Sequence, residues 1–408
     1  MIRKALLLLV FAALPVSGQI AGQVPVRSID PADRDFSDLM PMVQAIGKAR
    51  VVQLGEATHG DGATFLAKAR LIRFLHEVMG FDVIAWEAGI ADVPWLDEAL
   101  RAGLPSAEAA KRALYDAWQN REVMATLDAV RESQGTGRPI TIVGFDCRVS
   151  RPQVRAELYP KRIFDFFDRL DPALISKKER EDFTAMSLGL VPADYYARPG
   201  LRSYNRELPK RLVETIDRRR DELLVRYPPR EIDYVRQTLV SFLAMDRALG
   251  PGDRTPFENG YTRDTAMAEN LLWWLNGPLK DRKVIVWAHN YHVMNDFYFA
   301  VPEEMRKSGQ GPMGRFLKEA LGPDLYTIGF TAFSGASLDP ETNGPAPVKP
   351  GDLETQLHGL KRPWLFLPTP RKPVSASFYF NEPGEAIDWS RVYDGVFFLE
   401  EQKPATPL

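Results

Sequence analysis

Short runs of apolar residues recur along the chain and predict strands that are buried on both faces. The strongest runs span 50–54, 82–86, 140–144 and 283–287, and weaker ones span 325–330 and 396–399. These runs are rich in Val, Ile and Leu and lack the polar alternation of a half-exposed strand. Continuous apolar runs of this kind are typical of parallel strands that helices cover on both sides.

Helical spacing of apolar residues separates these strands. Between 63 and 79, apolar residues recur at helical intervals, and Gly80 ends the pattern. A second helix is predicted over 120–132. Strands and helices that alternate in this way predict an α/β fold, with a mostly parallel central sheet flanked by helices and right-handed crossovers.

The segment 151–280 breaks this alternation, because it is rich in Arg, Glu, Leu and Tyr and shows no good strand pattern. Long helices are predicted over 202–226, 230–249 and 263–275. We interpret the segment as a helical insertion between the third and fourth strands, which predicts a lid or substrate-binding subdomain. The α/β catalytic core is then expected to comprise 19–150 and 281–408, with loops and short strands in the Pro- and Gly-rich part from 331 onward.

The first residues show the three-part pattern of a secretory signal peptide. Arg3 and Lys4 give a cationic start, an apolar run follows from Ala5 to Leu14, and small residues up to Gly18 supply a cleavage site. The apolar run is too short to span a bilayer comfortably. We therefore expect residues 1–18 to be a signal peptide, and the mature protein to be periplasmic or secreted with no membrane span.

Charge and cysteine content narrow the function classes. The 408 residues include 52 basic and 54 acidic ones, which gives a formal net charge of -2 at pH 7. Nucleic-acid-binding domains generally show a basic excess, so we expect no nucleic-acid partner. Cys147 is the only cysteine, so no intrachain disulfide can form and the apolar core must stabilise the fold.

Ionisable side chains follow four of the predicted strands at the points where those strands end. In chain order they are Glu56, His59, Glu87, Asp146, His289 and His292. Ligands of open α/β sheets bind outside the carboxyl ends of the strands, so we expect these groups to meet on one rim as an acid-base site. His76 and His358, the other two of the five histidines, follow no strand and are expected to be structural.

Structural explanations compete with this interpretation at each position. Glu56 could cap the helix that follows it, although a capping role would not need a histidine nearby. Glu87 follows an apolar strand and needs a partner there. Asp146 could orient a catalytic group or pair with Arg148, and His292 could simply bond to the backbone. The convergence of all these groups on one rim favours a functional role for Glu56, His59 and Glu87.

Sequence motifs of the common nucleophiles and cofactor sites are absent. The chain contains no G-x-S-x-G elbow, no G-x-x-x-x-G-K-[ST] phosphate loop and no H-E-x-x-H zinc motif. Cys147 fits a small buried hydrophobe better than a nucleophile. A water molecule activated by a histidine or by a metal therefore remains as the attacking group.

Several stretches of the sequence resemble the erythromycin esterase family. They are LGEATHG at 54–60, WE at 86–87, GFD at 144–146, RD at 263–264, MAEN at 267–270 and WAHNYHV at 287–293. Their order and spacing agree over about residues 40–295. The resemblance implies the α/β fold of that family and is specific for the family, but it does not name a substrate.

The matching motifs assign active-site positions of that family to residues of this sequence. Hydrolysis of a macrolactone ester is attributed there to a histidine that acts as general base on water, and the motif gives this role to His59. Glu56, Glu87 and His289 match further active-site positions, so the resemblance implies that they are catalytic as well.

Two positions depart from the family pattern. Lys68 stands where an arginine is usual, and Ala63 stands where an acidic residue is usual. Lysine lacks the planar fork with which arginine grips a carboxylate or an oxyanion, and Arg70 or Arg73 could supply it instead. The residues expected to bind the substrate are Lys68, Arg70, Asp146, His292 and Arg263.

These observations leave three functions open. The favoured one is an exported hydrolase without metal or cofactor, in which His59 deprotonates water while Glu56 or Glu87 orients the imidazole and Lys68 or a nearby arginine stabilises the oxyanion. Its expected substrate is a small ester or lactone, macrolides included, and a macrolide substrate would make it an antibiotic-resistance enzyme. A second is a metal-dependent hydrolase whose ligands come from Glu56-x-x-His59 and His289-x-x-His292. A third is a non-catalytic periplasmic binding protein on the same fold.

Overall fold

The computed structural model describes seven stretches of the chain. They are 22–149, 151–189, 207–249, 256–297, 311–338, 348–378 and 386–408. The predicted signal peptide at 1–18 lies outside the described residues, so its prediction stays open. In the stretches that are described, no helix combines the length and the apolar character needed to cross a membrane.

Strands and helices alternate through the described parts of the chain. The strands are β1 (Val24–Pro25), β2 (Val51–Leu54), β3 (Val83–Gly89), β4 (Thr141–Asp146), β5 (Val284–Trp287), β6 (Leu325–Gly335), β7 (Trp364–Pro368) and β8 (Gly395–Gln402). The helices before β5 are α1 (Met40–Ile46), α2 (Gly62–Glu77), α3 (Val93–Arg101), α4 (Ser106–Ala113), α5 (Arg121–Ser133), α6 (Tyr159–Asp168), α7 (Lys177–Gly189), α8 (Glu207–Arg218), α9 (Arg220–Leu224), α10 (Pro229–Leu249) and α11 (Pro256–Asn276). Those after β5 are α12 (Asn290–Val293), α13 (Met313–Leu321) and α14 (Leu353–His358).

All of these strands form one sheet in the order β1-β7-β8-β6-β2-β5-β3-β4. The six neighbouring strands from β8 to β4 are parallel, whereas β7 is antiparallel to β8 and β1 is antiparallel to β7. The predicted α/β fold with a mostly parallel sheet is therefore confirmed. The apolar runs fall on β2, β3, β4, β5, β6 and β8, while the short β1 and the Pro-flanked β7 were not singled out by the sequence pattern.

Burial of both faces explains why the strands read as continuous apolar runs. In β2, Val51 belongs to the core on one face of the sheet, and Val52 and Leu54 belong to the core on the other. In β5, Val284 and Ile285 are divided between the two cores in the same way. Every position of these strands is removed from water, so no alternation with polar residues is needed.

The segment between β4 and β5 is helical, as predicted, and no strand occurs in its described residues. It has an apolar core of its own, which includes Ile163, Phe166, Leu212 and Phe242. Of the helix predicted over 202–226, residues 202–206 lie outside the described residues. The remainder is divided into α8 and α9, because the backbone at Arg219 leaves the helical conformation. The helix α11 leads from this segment back to the sheet at β5, and the lid role of the segment stays a prediction.

Candidate active site at the carboxyl edge of the sheet

Strand order brings the predicted chemistry together. The strands β2, β5, β3 and β4 are neighbours and parallel, so the segments that follow them share one rim. Glu56 and His59 lie in the loop from β2 to α2, and His289 and His292 follow β5. Glu87 lies inside β3 rather than after it, at a register shift between Trp86 and Gly89. Such a bulge re-aims side chains, which brings a residue from within the strand to the rim.

A glycine on β4 makes room for this bulge. A Cβ atom at Gly144 would lie 2.4 Å from the carbonyl oxygen of Gly89 and 2.7 Å from that of Ala88. Since both neighbours are backbone atoms, only glycine allows β4 to run this close to β3. The glycine at position 144 is therefore explained by packing.

Glu56 and His59 form a hydrogen-bonded pair at the start of α2. Nδ1 of His59 lies 2.9 Å from Oε1 of Glu56, and the side chain of Glu56 is completely buried. Because an ionised carboxylate can only accept hydrogen bonds, Nδ1 is the donor and Nε2 carries the lone pair. The side chain of His59 is 35% exposed, and Nε2 has no hydrogen-bond partner among the described residues. The imidazole is thus oriented by Glu56 with its basic nitrogen available.

Two further donors hold the carboxylate of Glu56. Nζ of Lys68 lies 2.7 Å from Oε2, and Nε1 of Trp118 lies 3.1 Å from Oε1. Burial opposes the ionisation of Glu56, but the charge of Lys68 and the contact with His59 outweigh it and lower the pKa of the carboxyl group. Burial likewise opposes the charged form of His59, yet the hydrogen bond to Glu56 and the charge of Glu87 raise its pKa above the ordinary value of 6.5.

Lys68 does not face the open part of the rim, contrary to the prediction that it binds substrate or an oxyanion. Its side chain is completely buried, pairs with Glu56 and lies 4.0 Å from the ring centre of Trp287. Burial lowers the pKa of Lys68 to about 8 even though Glu56 counteracts the shift. Without Lys68, the carboxylate of Glu56 would be a buried charge with no cationic side chain paired to it, which is why Lys68 points inward.

Arg70 lies away from the rim where the other predicted site residues meet, so its position does not support the predicted contact with substrate. Its guanidinium is almost fully buried against residues near the start of the chain. It bonds to both carboxylate oxygens of Asp38 at 2.8 Å and to the carbonyl oxygens of Ser28, Asp33 and Asp35. Arg73, the other candidate on the same helix, pairs with Glu132.

Glu87 is the centre of a second charged cluster. Its Oε1 accepts from Arg263 at 3.0 Å and lies 3.2 Å from Nε2 of His292, and its Oε2 accepts from the backbone N–H of His289 at 2.9 Å. Burial opposes its ionisation, but the positive charge of His292 and the nearby His59 and Arg263 hold the pKa of Glu87 well below its usual range. Glu87 therefore has the partners that a carboxylate behind an apolar strand requires.

Asp146 pairs with Arg263 from α11. The guanidinium of Arg263 approaches Oδ2 of Asp146 to 2.7 Å, whereas Arg148 contributes its backbone N–H to Oδ1 at 3.1 Å. Tyr115 donates a longer hydrogen bond of 3.3 Å to Oδ2. Asp146 therefore forms its ion pair with Arg263 rather than with the side chain of Arg148, and its orienting role stays a prediction.

His292 bonds to carboxylates and not to the backbone. Its Nδ1 lies 2.7 Å from Oδ1 of Asp264, and its Nε2 faces Glu87. Burial opposes its protonation, but Asp264 and Glu87 raise the pKa of His292 to about 9. With this pKa His292 is an imidazolium at neutral pH, and its Nδ1–H donates to Asp264. Nε2 faces Oε1 of Glu87 at 3.2 Å and also lies 3.1 Å from Nη1 of Arg263, so the two cations meet beside Glu87.

His289, unlike His292, is a neutral imidazole with a lowered pKa. Its Nε2 lies 2.6 Å from the carbonyl oxygen of Ala57, so this nitrogen is the donor, and Nδ1 accepts from the backbone N–H of Tyr291 at 3.1 Å. Burial and the neighbouring His59 and His292 lower the pKa of His289 to about 3. The structure thus brings His289 to the rim, where its ring lies 5.4 Å from that of His59, as a neutral imidazole bonded to backbone through both nitrogens.

Sequence reasoning missed three contributors to the site. They are Tyr115, Trp118 and Asp264. Asp264 stands beside Arg263 in a stretch that resembles the family, so a signal for it was present. Trp118 lies in a short turn between α4 and α5, and no local pattern connects this turn with Glu56.

Metal ligation can be tested on the donor atoms themselves. Within the described ranges, no group of three or more His, Cys, Asp or Glu side chains is placed to hold a metal ion. Oε2 of Glu56 is bonded to Lys68, and both ring nitrogens of His289 are bonded to backbone. The expectation of a metal-free site stays a prediction, which a chelation experiment tests below.

The fold and the rim together define an α/β protein of the mostly parallel class with a His–carboxylate site at the carboxyl edge of its sheet. Within this class, the chain belongs to the erythromycin esterase family, whose sequence profile matches residues 76–400. The match includes Glu87, Asp146, Arg263 and both rim histidines after β5, and it begins after the loop that carries Glu56 and His59.

Relatives over nearly the whole chain agree with this assignment. Erythromycin esterase type II of Escherichia coli is 28% identical over 419 residues, which cover 93% of this chain and 95% of that protein. A solved protein from Bacillus cereus superimposes with a TM-score of 0.75 at 19% identity and covers 95% of this chain and 97% of its own. An erythromycin esterase mutant in its open conformation has a TM-score of 0.71 at 17% identity. The superposition covers 93% of this chain and 98% of that one. At these identities the two solved structures establish the fold.

Proposed function

We propose that this chain is a hydrolase that cleaves an ester or lactone with a water molecule activated by His59. The observation that carries the proposal is the pair of Glu56 and His59. Glu56 accepts from Nδ1 at 2.9 Å, and this leaves the lone pair of Nε2 on a side chain that is 35% exposed. Membership of the erythromycin esterase family supports the same reaction class.

The proposed reaction follows from this arrangement. Nε2 of His59 removes a proton from water while the water oxygen bonds to the carbonyl carbon of the ester. The ionised Glu56 stabilises the imidazolium that forms. The tetrahedral intermediate then expels the alkoxide by breaking its C–O bond, and the proton passes from His59 to that oxygen. The products are a carboxylic acid and an alcohol, joined in one molecule when the substrate is a lactone.

Positive charge for the oxyanion is proposed to come from Arg263 and His292. Their side chains are 12% and 11% exposed, whereas Lys68 is completely buried. Both cations share Glu87, so they are held at the rim before substrate arrives, which is the preorganisation that stabilises a developing negative charge. In this proposal Glu87 and Asp146 act by positioning the cations, and His289 acts by holding the backbone of Ala57.

A macrolactone is one proposed substrate, because a relative with similar coverage is named as an erythromycin esterase. If macrolides are cleaved, the protein acts in antibiotic resistance. The test is a hydrolysis screen of the purified protein against macrolides, other lactones and aryl esters, with mass detection of the added water. A complete absence of hydrolysis by folded protein would favour a non-catalytic binding protein.

His59→Ala is the decisive variant for the mechanism. We expect turnover to fall by at least about 100-fold, the usual scale for losing a general base, with the melting temperature nearly unchanged. His76→Ala is the control, since His76 bonds to the carbonyl oxygen of Phe81 and lies on the helix away from the pair. Equal losses in both variants would show that the effect is on folding and would remove the assignment.

We further propose that the protein is exported, on the basis of the signal-peptide pattern of residues 1–18. N-terminal sequencing of protein from the native host should find a chain that begins near Gln19. Recovery of the Met1 terminus from the cytoplasm would contradict export.

A further inference from the structure

The segment 403–408 follows β8 and crosses the loop that carries His59. We name this segment the strap. The backbone N–H of Ala405 donates to the carbonyl oxygen of Gly60 at 2.8 Å, and the carbonyl oxygen of Lys403 accepts from the N–H of Ala63 at 3.3 Å. Gly60 is the residue after His59, and Ala63 lies in the first turn of α2. The strap therefore bonds to both ends of the turn that leads from His59 into the helix.

The strap then reaches the turn that carries Trp118. The N–H of Arg121 donates to the carbonyl oxygen of Thr406 at 2.9 Å, and the N–H of Leu408 donates to that of Gln119 at 3.3 Å. Thr406 also donates to the carboxylate of Glu122 from its backbone N–H at 2.9 Å and from its hydroxyl at 2.8 Å. The strap is thus bonded to two separate parts of the chain.

These two parts meet at Glu56. One is the loop of residues 55–62, which contains Glu56 and His59, and the other is the turn that supplies the indole N–H of Trp118. The rings of His59 and Trp118 pack edge to face, with centres 5.1 Å apart. Because His59 and Trp118 both bond to Oε1 of Glu56, a change in the separation of the two parts would alter both of these hydrogen bonds.

Close packing at Gly62 shows how tightly the strap lies on the loop. A Cβ atom at Gly62 would be 2.7 Å from the carbonyl oxygen of Pro404 and 2.9 Å from Cα of Ala405. Both neighbours are backbone atoms, so a side chain at Gly62 would push the strap away from the loop or the loop away from the strap. This contact provides a second way to disturb the strap without removing it.

We propose that the strap is a positioning element for the general base, which holds the loop 55–62 and the Trp118 turn at the separation that keeps Nδ1 of His59 on Glu56. The positioning is independent of the reaction, and its effect on turnover rests on the proposed function of His59. Hydrogen bonds weaken steeply as their geometry departs from linear, and a displacement of about 1 Å can cost about 100-fold in rate. The strap is therefore expected to affect turnover more than substrate binding.

The first experiment compares the full chain with a chain that ends at Gln402. The readouts are the pKa of the His59 ring by imidazole NMR, the melting temperature, and kcat and KM on a substrate found in the screen. Five histidines make the spectrum tractable, and a His59→Gln spectrum assigns the signal. The charged and titratable groups around His59 are Glu56 and Asp61 on its loop, Lys68 on α2, Glu87 on β3, and His289 and His292 after β5.

Without the strap, we expect the pKa of His59 to fall toward its ordinary value, because the hydrogen bond from Nδ1 to Glu56 loosens. The pKa of His292 should not change, since Asp264 and Glu87 set it and neither contacts the strap in the described structure. Turnover should fall by about 10- to 100-fold with KM nearly constant. A folded, shortened chain with the His59 pKa and the kcat of the full chain would overturn the proposal.

Gly62→Ala tests the strap in the full chain, and Gly137→Ala is its control because a Cβ atom there meets nothing within 4 Å. We expect Gly62→Ala, but not Gly137→Ala, to lower the His59 pKa and kcat. In the shortened chain Gly62→Ala should add no further change, because the atoms it meets are gone. An equal effect of Gly62→Ala with and without the strap would contradict the proposal. If the shortened chain is poorly folded, the comparison of Gly62→Ala with Gly137→Ala in the full chain decides the matter, and equal His59 pKa values in these two variants would contradict the proposal.

The NMR readout needs no substrate, so the two proposals can fail separately. If the pKa of His59 depends on the strap but the protein hydrolyses nothing, the proposed function is contradicted and the positioning role is supported. Hydrolysis that depends on His59 but is indifferent to the strap would sink the positioning role alone.

Discussion

The imidazole of His59 combines partial exposure to solvent with a fixed orientation. Its Nδ1 is bonded to a carboxylate that is itself completely buried and held by Lys68 and Trp118. A carboxylate bonded to the distal nitrogen sets the tautomer of a histidine and stabilises its protonated form, which is the role of aspartate in serine hydrolases. His289 and His292, although they lie on the same rim, are a neutral ring and a cation because their partners differ.

Glu56→Gln tests the contribution of the Glu56 charge to catalysis by His59, because glutamine has nearly the same size and shape but carries no charge. We expect kcat to fall by about 100- to 10,000-fold, because the amide cannot stabilise the imidazolium and can present the wrong group to Nδ1. The pKa of His59 should fall at the same time, which NMR can measure. Glu132→Gln, a change in an exposed ion pair with Arg73, is the control and should leave both quantities unchanged. An unchanged pKa of His59 in Glu56→Gln would contradict the role of Glu56 in orienting and stabilising the His59 ring.

Activity should have a bell-shaped dependence on pH. The base must be neutral, and the pKa of His59 is raised, so kcat/KM is expected to be lost as pH falls through a value above 6.5. On the alkaline side Lys68 loses its proton at about 8 and His292 at about 9. Glu56 then loses the charge of Lys68, and Glu87 keeps only the charge of Arg263. Rate profiles between about pH 5 and about pH 10 on an identified substrate measure both limbs. Activity that rises toward acid pH would contradict His59 as the base.

The helix α2 connects the site with the start of the described chain. Lys68 and Arg70 are two positions apart, and residues at that spacing project from different sides of a helix. Lys68 therefore reaches Glu56, whereas Arg70 reaches Asp38 and the backbone around it. Residues 28–38 are held to α2 by these contacts, so this arginine serves the scaffold.

Arg70→Met should destabilise the protein without changing its chemistry. The change removes the guanidinium from three carbonyl groups and from Asp38, which is 7% exposed and still accepts from the backbone N–H of Arg27. Breaking a buried pair typically costs about 3–5 kcal/mol. Arg73→Met is the matched control on the same helix, and it should cost about 0–1 kcal/mol because its partner Glu132 is 57% exposed. Urea unfolding gives the two free energies. A specific loss of kcat in folded Arg70→Met protein would restore its predicted role in the site.

The whole molecule assembles its rim from distant parts of the chain. Arg263 on α11 bonds to Glu87, which is 176 positions earlier, and α11 belongs to the helical segment inserted between β4 and β5. Carboxylates and cations are paired along this rim. Lys68 pairs with Glu56, Arg263 pairs with Glu87 and Asp146, and His292 pairs with Asp264. A divalent ion placed here would be repelled by those cations at short range, where Coulomb energies amount to several kcal/mol.

Hydrolysis should therefore survive removal of metals. Dialysis against a strong chelator is expected to leave kcat on the identified substrate unchanged, and elemental analysis of the purified protein should find transition metals well below stoichiometric amounts. Dialysis against a non-chelating salt at the same ionic strength is the control for salt effects. Loss of activity that zinc or manganese restores would establish the metal-dependent alternative.

The sequence by itself determined the main strands and the candidate residues of the rim. The partners of those residues depended on side chains that meet only in the folded chain. Apolar runs predicted β2, β3, β4 and β5, and chain direction placed Glu56, His59, Glu87 and His289 on one rim, because burial and strand polarity are local properties. The partners of these groups were decided by tertiary structure. Lys68 pairs with a buried carboxylate, Trp118 donates to the same group, and the strap at 403–408 crosses the loop from the other end of the chain. Such contacts join the tips of side chains or backbone far apart in sequence, and periodicity within a single helix or strand carries no information about them.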